Sequence, residues 1–526
     1  MRARFLITLL VVLLVFLSVD IRAFCEPEKP YGGTLTIAAI TKPVTLNPLF
    51  ARDSVSTHLV ALIFNSLVKL NSRGEVVGDL AESWSVSKDG LTWTFKLRRG
   101  VKFQDGVELT SDDVLFTYRK TKEQSIKTPA IPLIPLINMV SHFDAPDTYT
   151  FRVHLKRPYS PIIYLMLQSI IPRHLFEKRD IDNPGFAKRP TGTGPFILSR
   201  WEKDRIIFRA NRNYFRGRPY LDRVIIRFFP TRLSAWVALM EGNADVVGDL
   251  NYEDYRVIES DNRFRVYDYL SNFYYTILFN TDDPTYSNVN LRRAVSLAVD
   301  RRDLIANVLK GMGVETTGPF IPGSWTYNES VEYQNYNPML AKKLLLRAGY
   351  RDTNGDMILD KDGRDLTLNL LIDRGDKLKA KLAKRIKWQL FRVGIRVNIK
   401  VVEKRKLLKM LLPGRFQSVL LQFNRGAYPD KNTYLFWDSK NIGRFNIARY
   451  RNGEVDKLIE EAWSTANLRE KEEMYRRIHT LIARDVPAVF LFYRRKYLAV
   501  SSRIGGVRVK PEIFYRSISE WYVKNK

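Results

Sequence analysis

The residue types that usually perform catalysis are few in this chain, and they do not form catalytic motifs. The sequence has no G-x-S-x-G elbow, phosphate-binding P-loop, dinucleotide fingerprint or H-E-x-x-H pair. The histidines are scattered without the spacing of metal ligands: His58, His142, His154, His174 and His479. The only cysteine, Cys25, lies at the end of an N-terminal apolar segment. The sequence therefore predicts no zinc site, no cysteine nucleophile and no cofactor.

Paired carboxylates of the kind that hydrolyse glycosidic bonds need no proximity in the sequence. A secreted hydrolase is therefore an open alternative, although no motif supports it. Such an enzyme would need two carboxylates roughly 5–10 Å apart in a cleft, with a shifted pKa on at least one of them.

Residues 352–362 carry oxygen-bearing side chains at alternate positions and resemble a calcium-binding loop. The run departs from that pattern twice, because Met357 stands where the loop needs glycine and Gly363 stands where it needs the closing glutamate. Asp, Asn and Gly also form ordinary turns, and an alternating strand follows at 366–371. The sequence leaves both alternatives open.

Length and composition indicate a chain of several folded units. Its 526 residues are enough for about two to four domains. The apolar share of 45% and the charged share of 27% predict a sizeable core and exclude a disordered chain, a fibre or a disulfide miniprotein. After the N-terminal segment, no apolar run reaches the roughly 18–20 residues that cross a bilayer, which predicts a soluble body.

Residues 1–25 are predicted to be an export signal. Arg2 and Arg4 give it a positive beginning, and residues 5–19 form an apolar stretch that is short for a membrane span. Ala23 then supplies a small residue at a cleavage position. A permanent N-terminal anchor is the alternative. The protein is therefore expected in the periplasm or another extracytoplasmic compartment.

Cys25 follows this signal, and a lone cysteine in that position suggests a lipid attachment site that tethers the protein to a membrane. Phe24 and Arg22 do not fit a lipoprotein signal, which has small and aliphatic residues there. Because there is no second cysteine, no intramolecular disulfide forms, and packing alone must stabilise the body.

The formal net charge of +29 suggests a polyanion or a membrane surface as a possible partner. However, lysine and arginine alternate with acidic residues along the whole chain, and the basic clusters are short: 301–302, 404–406 and 494–496. Such clusters are typical of solvated faces, and mixed charge is typical of ion-pair networks in heat-tolerant proteins. We therefore expect no nucleic-acid partner.

The hydrophobic pattern predicts a mixed α/β chain, richer in strands before residue 275 and in helices after residue 290. A hairpin is predicted at 84–97 with its turn at Asp89-Gly90, and a helix is predicted to begin at Thr110–Asp113. Another helix should begin at Asn337-Pro338 and end at Gly349. Further strands are predicted at 196–201, 205–209, 224–229, 274–279, 395–399 and 488–492, and further helices at 233–240, 385–393 and 468–484.

A series of motifs runs in a fixed order from about residue 32 to residue 500. The motifs are Asp79–Trp84, Asp89–Arg98, Gly100–Phe103, Asp105-Gly106, Thr193–Phe196 with Trp201, Asn211–Asp222, Phe279–Thr281, Leu291–Ala294 with Asp300-Arg301, and Asn337–Tyr350. The series resembles family 5 of the bacterial extracellular solute-binding proteins, which are the oligopeptide-, dipeptide- and nickel-binding receptors of ABC importers. It is specific for the family and says little about the ligand.

The resemblance implies an α/β, two-lobed periplasmic-binding-protein fold of type II, similar to cluster C, with an extra β-rich domain and a central cleft. Lobe I would comprise 31–75, 192–275 and 493–526, the extra domain 76–191, and lobe II 276–492. The chain crossings near residues 275 and 492 would act as hinges, and a ligand touching both lobes would stabilise the closed form.

The resemblance also implies a ligand-binding loop. Peptide-binding relatives carry an aspartate in a stretch similar to Ala-Asp-Tyr-Pro-Asp, and it pairs with the α-ammonium group of the ligand. Here Ala427 stands in its place, between Arg425 and Tyr428, and Asp430 follows. A buried ammonium group needs a carboxylate partner. Either Asp430 replaces the missing aspartate or the ligand has no free amine.

Other residues are expected to line the cleft. Arg374 would bind a ligand carboxylate, with a solvated loop arginine as the alternative. Asn272, Phe273 and Tyr274 would line the cleft floor, unless the aromatic rings pack in the core. Trp437 would stack on the ligand or pack similarly.

We therefore expect a monomeric, non-catalytic receptor that delivers an oligopeptide or dipeptide to the permease and ATPase subunits of an ABC importer. The alternatives are the same scaffold with an oligosaccharide, an anion or a metal chelate, a secreted hydrolase, and an envelope protein that binds polyanions or a membrane surface. Opposed charges in the cleft would favour a zwitterionic ligand, whereas aromatic platforms would favour a sugar.

Overall fold

The computed structural model describes residues 30–71, 74–127, 134–177, 180–331, 335–424, 429–465, 467–509 and 514–524. The predicted signal and Cys25 lie outside these residues, as do Arg425, Ala427 and Tyr428. Within the described ranges, no helix combines the length and the apolar character that a membrane crossing requires.

Strands occur throughout the described chain, and they are short except for two. The strands are β1 Thr34–Ala39, β2 Val68–Leu70, β3 Val76–Gly78, β4 Ala81–Val86, β5 Thr92–Leu97, β6 Val140–Asp147, β7 Thr150–Leu155, β8 Phe196–Trp201, β9 Arg205–Ala210, β10 Arg223–Phe228, β11 Val246–Gly248, β12 Phe264–Phe279, β13 Gly313–Glu315, β14 Asp360–Lys361, β15 Arg364–Asp365, β16 Thr367–Asp373, β17 Arg396–Val402, β18 Ser418–Asn424, β19 Ala488–Ser501, β20 Ile504–Gly505 and β21 Tyr522–Val523.

The longer helices lie mainly in the second half. The α-helices are Ser54–Ile63, Ser111–Lys127, Ile134–Asn138, Pro184–Lys188, Arg232–Met240, Tyr252–Ile258, Val289–Ala298, Arg301–Asp303, Pro338–Arg347, Lys377–Phe391, Lys404–Leu411, Pro429–Trp437, Gly453–Ser464, Leu468–Asp485 and Phe514–Ser517. 3₁₀-helical segments occupy Ser160–Leu167, Arg173–Phe176, Ser439–Asn441 and Ile518–Glu520, and a π-helical turn occupies Leu304–Val308.

The largest sheet runs in the order β17-β16-β18-β12-β19-β11-β1-β10-β9-β8, with β13 also paired to β19. The strands β1, β8, β9, β10 and β11 form one half, and β13, β16, β17 and β18 form the other. β12 and β19 lie between the two halves, because β12 pairs with β18, β19 pairs with β11 and β13, and the two long strands pair with each other. They are therefore the chain crossings between the halves.

The pairing of β12 with β19 is interrupted in the middle. Leu270 pairs with Arg495 and Tyr274 pairs with Tyr493, so the segment between Leu270 and Tyr274 forms a bulge in β12. Bulges bend a strand and strengthen its local twist, and they often lie beside binding sites. The bulge lies just before Tyr274, where β12 continues alongside β18 as well as β19.

A separate four-stranded antiparallel sheet, β4-β5-β7-β6, begins with the predicted hairpin. Gly90 closes the turn with a positive φ of 71°, and its N–H donates to the Ser87 carbonyl at 2.8 Å. Trp93, Phe95 and Leu97 alternate along β5 and are all buried on one face. The period-2 pattern therefore predicted this hairpin correctly.

Helix ends in the second half follow the sequence signals. Asn337 caps the helix Pro338–Arg347 by accepting a hydrogen bond from the Leu340 N–H at 2.9 Å, and Gly349 follows the helix with a φ of 90°. Besides the strand predicted at 488–492, which continues to Ser501, two predicted boundaries were wrong. The helix predicted at 385–393 spans Lys377–Phe391, because the Asp376 carboxylate already caps the Leu378 and Lys379 N–H groups.

The strand predicted at 274–279 is the other wrong boundary, since β12 begins at Phe264. Its first part, Phe264–Leu270, is only partly buried, and Arg265 and Asp268 lie three residues apart in it, which interrupts the period-2 alternation of a half-buried strand. Pairing with β19 from Phe264↔Ser501 onwards supplies the stabilisation that the side chains do not.

Candidate functional site

A pocket of about 560 Å³ lies beside the first half of the large sheet. Residues 37–41, at the end of β1, and residues 246–250, at the end of β11, form its base. The two strands are parallel neighbours. The carboxyl ends of parallel strands, where successive connections leave in different directions, are the usual ligand sites of α/β sheets.

Four further elements close the pocket. The helix Arg232–Met240 contributes Arg232 and Trp236, and the helix Ser54–Ile63 contributes His58. Tyr269 comes from β12, next to the bulge, and Tyr515 comes from the C-terminal segment. The lining therefore joins at least six separate parts of the chain around one volume, which is in the range of small-ligand pockets.

The charged groups of the pocket are already engaged with one another. Arg232 donates a hydrogen bond to the backbone carbonyl of Asp249, and its guanidinium lies 3.9 Å from the Asp254 carboxylate. The Asp249 carboxylate forms an ion pair with Lys496 of β19. The pocket thus presents both signs of charge at one end, and the Asp249–Lys496 pair ties it to a crossing strand.

Asp249 combines an altered pKa with an unusual backbone. Desolvation acts to raise the pKa of this carboxyl, but attraction to Lys496 and Arg232 outweighs it, so the pKa lies below its ordinary value. The backbone φ of 58° is in the left-handed region, which costs energy for any residue other than glycine. An ionised carboxylate on a strained backbone at a pocket rim is typical of a functional position.

The opposite wall of the pocket is aromatic. The rings of His58 and Tyr515 stack with centroids 5.1 Å apart and an interplanar angle of 14°. Burial lowers the pKa of His58, against the opposing attraction of Asp53. Burial, together with the nearby charge of Asp249, raises the pKa of Tyr269 to about 12. All three rings are therefore neutral near pH 7 and offer apolar faces with polar edges.

Two carboxylates of this pocket bear on the hydrolase alternative. The Asp53 carboxylate caps the helix Ser54–Ile63 by accepting the Ser56 N–H at 2.8 Å. Burial acts to raise the pKa of Asp53, but its hydrogen bonds outweigh that effect, so the pKa lies below the ordinary value, as does that of Asp249. A glycosidase acid needs a raised pKa. Neither carboxylate has the protonation that general acid catalysis requires.

The predicted residues Tyr274 and Trp437 pack in the core of the second half of the sheet, each with 2% of its surface exposed. The Tyr274 ring stacks on Phe423 with centroids 5.6 Å apart, and the Trp437 ring packs against Phe490 at 5.7 Å. A cavity of about 20 Å³ lies between them and residues 319–321. That volume holds roughly one water molecule, so the space beside these rings does not admit a larger ligand.

Asn272 and Phe273 lie in the bulge of β12. Phe273 is 38% exposed, and its backbone pairs with Asn424, the last residue before the predicted ligand loop. The Ser271 hydroxyl donates to the Phe273 carbonyl at 3.0 Å, which fixes the bulged backbone. The structure thus brings this pair of residues to the beginning of the loop that resembles Ala-Asp-Tyr-Pro-Asp.

Arg374 lies in the turn after β16, where its guanidinium pairs with Glu403 at 2.8 Å. About two thirds of each side chain is exposed, at 67% and 65%. Exposed pairs of this kind exchange readily with solvent and contribute little to stability. Asp430 belongs to the helix Pro429–Trp437, whose backbone is described at that position.

The run 352–362 forms a turn rather than an arrangement of converging carboxylates. Asp352 accepts hydrogen bonds from the backbone N–H groups of Gly355 and Met357 at 2.8 and 3.1 Å. The Asp356 carboxylate pairs with Arg396, and Asp360 accepts from Thr353. These oxygens therefore stabilise the turn, which is the alternative that Asp-, Asn- and Gly-rich sequence equally predicted.

Sequence reasoning did not identify Arg232, Trp236, Asp249 or Tyr269 as site residues. The signal that points to them is topological, since each follows or lies near the end of a strand of the first half-sheet. No motif joins them, and they belong to different elements of the fold, except that Arg232 and Trp236 share one helix. Only the strand order brings them to one edge.

Comparisons with known proteins give one consistent result. The model of the family described as "Bacterial extracellular solute-binding proteins, family 5 Middle" matches residues 75–444. The oligopeptide-binding protein AppA of Bacillus subtilis is 30% identical over 546 aligned residues, covering 99% of this chain and 98% of that protein. Its structure with a nonapeptide has a TM-score of 0.70 and covers 95% of this chain and 100% of that chain.

Two other relatives have different ligands in their names. The periplasmic binding protein DppA from Helicobacter pylori, solved with the peptide STSA, is 25% identical with a TM-score of 0.71, and covers 95% of this chain and 100% of that chain. The heme-binding protein A of Haemophilus influenzae is 25% identical over 510 residues, covering 92% of each protein. The fold and the length agree with these proteins, while the ligands differ among them.

Proposed function

Because this chain belongs to family 5 of the bacterial extracellular solute-binding proteins, we propose that it is an exported receptor that captures a peptide and delivers it to an ABC importer. The family consists of substrate-binding receptors rather than enzymes. The bound peptide is released unaltered to the permease and ATPase subunits in the membrane.

The observation that carries this proposal is the 560 Å³ pocket at the strand ends of the first half-sheet, beside the bulged crossing strand. It has apolar and aromatic walls, as tolerant peptide receptors need, and both signs of charge at one end. A peptide presents an ammonium group and a carboxylate, so a rim with Asp249, Asp254 and Arg232 suits its termini.

We propose that lobe I comprises 31–75, 192–275 and 493–526, the extra domain 76–191 and lobe II 276–492. The ligand would lie between the pocket of lobe I and a facing surface, which Asn272 and Phe273 form at the end of lobe I together with the lobe II loop that leads to Asp430. In this arrangement Asp430 supplies the carboxylate that Ala427 lacks. Rotation about the β12 bulge would bring the two surfaces together.

The relatives favour peptides over other ligands. AppA, with 30% identity, is named for oligopeptides and was solved with a nonapeptide, and the Helicobacter pylori protein was solved with a tetrapeptide. The heme-binding relative supports a second candidate function, capture of a large aromatic chelate, because Trp236, His58 and Tyr515 offer ring faces in this pocket.

The test is native mass spectrometry of the mature protein, residues 26–526, as purified, followed by calorimetric titration of the emptied protein. Peptides of two to nine residues, an N-acetylated version of each, heme and an oligosaccharide would be titrated. We expect binding of free peptides and a mass that returns unchanged after release. Tight binding of heme or a sugar with no peptide binding would contradict the proposal, as would peptide cleavage.

The charged rim is tested by Arg232→Gln. Loss of a charged hydrogen bond costs about 1.5–3 kcal/mol, which corresponds to a weakening of roughly ten- to hundredfold for peptides with a free carboxylate. Peptide amides should be affected less. Arg256→Gln is the matched control, because Arg256 is a surface residue paired with Glu259 outside the pocket. If Arg232→Gln and Arg256→Gln bound the peptide with equal affinity, Arg232 would not be a ligand-binding residue.

A further inference from the structure

Two histidines and an aspartate come together on the four-stranded sheet of the extra domain, away from the ligand pocket. The three residues are His142 and Asp144 on β6 and His154 on β7, and their ligating atoms all lie within 4.8 Å of one another. None of them lines the pocket described above. No spacing in the sequence predicts the cluster, because the histidines meet through strand register rather than through positions along one element.

The register of β6 and β7 explains why they meet. His142 lies directly opposite His154 in the antiparallel pair, and the two rings stack with centroids 4.1 Å apart and nearly parallel planes. Asp144 lies two residues after His142 on the same strand, and therefore on the same face. Phe143 and Val153, which point the other way, are buried in the core. The cluster consequently lies on the solvent face of the sheet.

The hydrogen bonds around the cluster orient both imidazoles. Nδ1 of His154 lies 3.2 Å from the Thr92 hydroxyl, and Nδ1 of His142 lies 3.3 Å from the Ser141 hydroxyl. These contacts leave Nε2 as the ligating atom of each ring. Partners on the outer nitrogen are the common way in which proteins fix the tautomer and direction of metal-binding histidines.

Asp144 is the most informative member of the cluster. Its Oδ2 lies 2.8 Å from Nε2 of His154. Its Oδ1 is shielded from solvent and receives no hydrogen bond from any residue in the described part of the chain. A carboxylate oxygen that is covered and unpaired is costly. A bound cation would neutralise the charge on both Asp144 oxygens. It would also take the place of the proton between Nε2 of His154 and Oδ2 of Asp144.

We propose that His142, Asp144 and His154 form a binding site for a divalent transition-metal ion. Zn²⁺ is the ion with which the site is tested. Two neutral imidazoles and one carboxylate suit Zn²⁺, Ni²⁺ and Cu²⁺ better than Mg²⁺ or Ca²⁺, which prefer oxygen ligands. Three protein ligands leave a position for water or for a fourth ligand. The site links β6, the edge strand of the sheet, to β7.

The proposal is tested on the mature protein without a histidine tag, by Zn²⁺ titration in competition with a chromophoric chelator. We expect one bound Zn²⁺ per chain and at least tenfold weaker binding in His142→Gln and in His154→Gln. Asp144→Asn should also weaken binding. His174→Gln is the matched control, because His174 lies in the same segment and contacts only one carboxylate, Asp105 at 2.8 Å; its affinity should equal that of the wild type.

X-ray absorption at the zinc edge supplies an independent measurement. It should report two imidazole nitrogens at about 2.0–2.1 Å and an oxygen ligand, in the presence and in the absence of a bound peptide. Absence of stoichiometric Zn²⁺ binding would overturn the proposal, and so would wild-type affinity in the His142 or His154 variant. Neither result would bear on peptide capture, which is measured without metal.

Discussion

At the scale of single residues, His479 shows how burial determines a protonation state. The residue is fully buried in the helix Leu468–Asp485. Its Nδ1 accepts a hydrogen bond from the Asn328 N–H at 3.0 Å, and its Nε2 lies 2.9 Å from the Thr317 hydroxyl. A neutral ring satisfies both contacts, whereas a protonated ring loses the Asn328 bond. The histidine that sequence reasoning left without a role is therefore structural.

Burial lowers the pKa of His479 to about 4, against an ordinary value of 6.5. Because the unfolded chain binds a proton more readily, the stabilisation is complete above about pH 6.5 and is lost as the pH falls towards 4. The loss should reach about 3 kcal/mol, at 1.36 kcal/mol per pKa unit. Urea unfolding followed by tryptophan fluorescence at pH 7.5, 6, 5 and 4 measures it.

The same unfolding experiment on His479→Gln separates the contribution of this histidine to stability from that of the carboxylates, which also titrate in that pH range. The variant should be less stable than the wild type at pH 7.5, and the difference in unfolding free energy should shrink as the pH falls. A difference that is constant from pH 7.5 to pH 4 would contradict the assignment of a neutral buried ring.

Gly194 shows why the motifs identify a family and not a ligand. A Cβ at this position would lie 2.4 Å from the carbonyl carbon of Ile63, and the Gly194 N–H donates to the Ile63 oxygen at 2.7 Å. Gln104, another residue of the motif region, donates from its side-chain amide to the Gly194 and Phe196 carbonyls. These contacts join the segment between β5 and the helix Ser111–Lys127 to the beginning of β8 in the large sheet.

We therefore expect Gly194→Ala to lower the free energy of unfolding by roughly 1–3 kcal/mol, because backbone must move to admit the methyl group. Differential scanning fluorimetry and urea unfolding would measure the change. Gly453→Ala is the matched control, since no atom lies within 4 Å of its Cβ position at the beginning of a helix. If Gly194→Ala and Gly453→Ala were equally stable, the close backbone approach at Gly194 would not limit the size of the residue there.

At the scale of elements, capping is the signal that the sequence carries best. The helix Pro338–Arg347 has a capping asparagine, a proline in its first turn and a glycine after its end, as predicted. Asn337→Ala removes the acceptor of the Leu340 N–H and should cost about 1 kcal/mol of stability. Lys342→Ala, an exposed change in the middle of the same helix, should be neutral or slightly stabilising.

Urea unfolding of both variants beside the wild type is the measurement. A loss that is equal in Asn337→Ala and Lys342→Ala would mean that helix propensity, rather than the cap, determines the effect. Circular dichroism at 222 nm should be unchanged in both variants, because one cap does not decide whether a helix exists in a packed domain.

Local signals of this kind predicted most strands and helices, and they failed where stabilisation is not local. The hairpin around Gly90 follows from side-chain alternation and turn chemistry. The first part of β12 was missed because its charged residues interrupt the alternation and its order comes from pairing with β19. The pocket was missed because Arg232, Asp249 and Tyr269 meet only after the strands have taken their order, and the His142–His154 pair was missed because only strand register unites it.

At the scale of the whole molecule, two strands carry every sheet connection between the halves among the described residues. The bulge between Leu270 and Tyr274 lies where β12 leaves the first half and enters the second. Backbone changes at a few residues of such a crossing can move two rigid bodies by a large angle. A peptide that touches both surfaces would then shift the population towards a closed form, in proportion to its preference for that form.

Small-angle X-ray scattering of the mature protein measures this shift directly. The radius of gyration should fall when a bound peptide saturates the wild type, and it should not fall with the same peptide in amide form if the charged rim at Arg232 anchors its carboxylate. Arg232→Gln should need a higher peptide concentration to reach the same closed value, because the variant loses affinity and keeps the crossing strands. If the radius of gyration stayed constant at saturating peptide while calorimetry confirmed binding, capture would not require closure of the two halves. The pocket would then bind the peptide without any movement at the crossing strands.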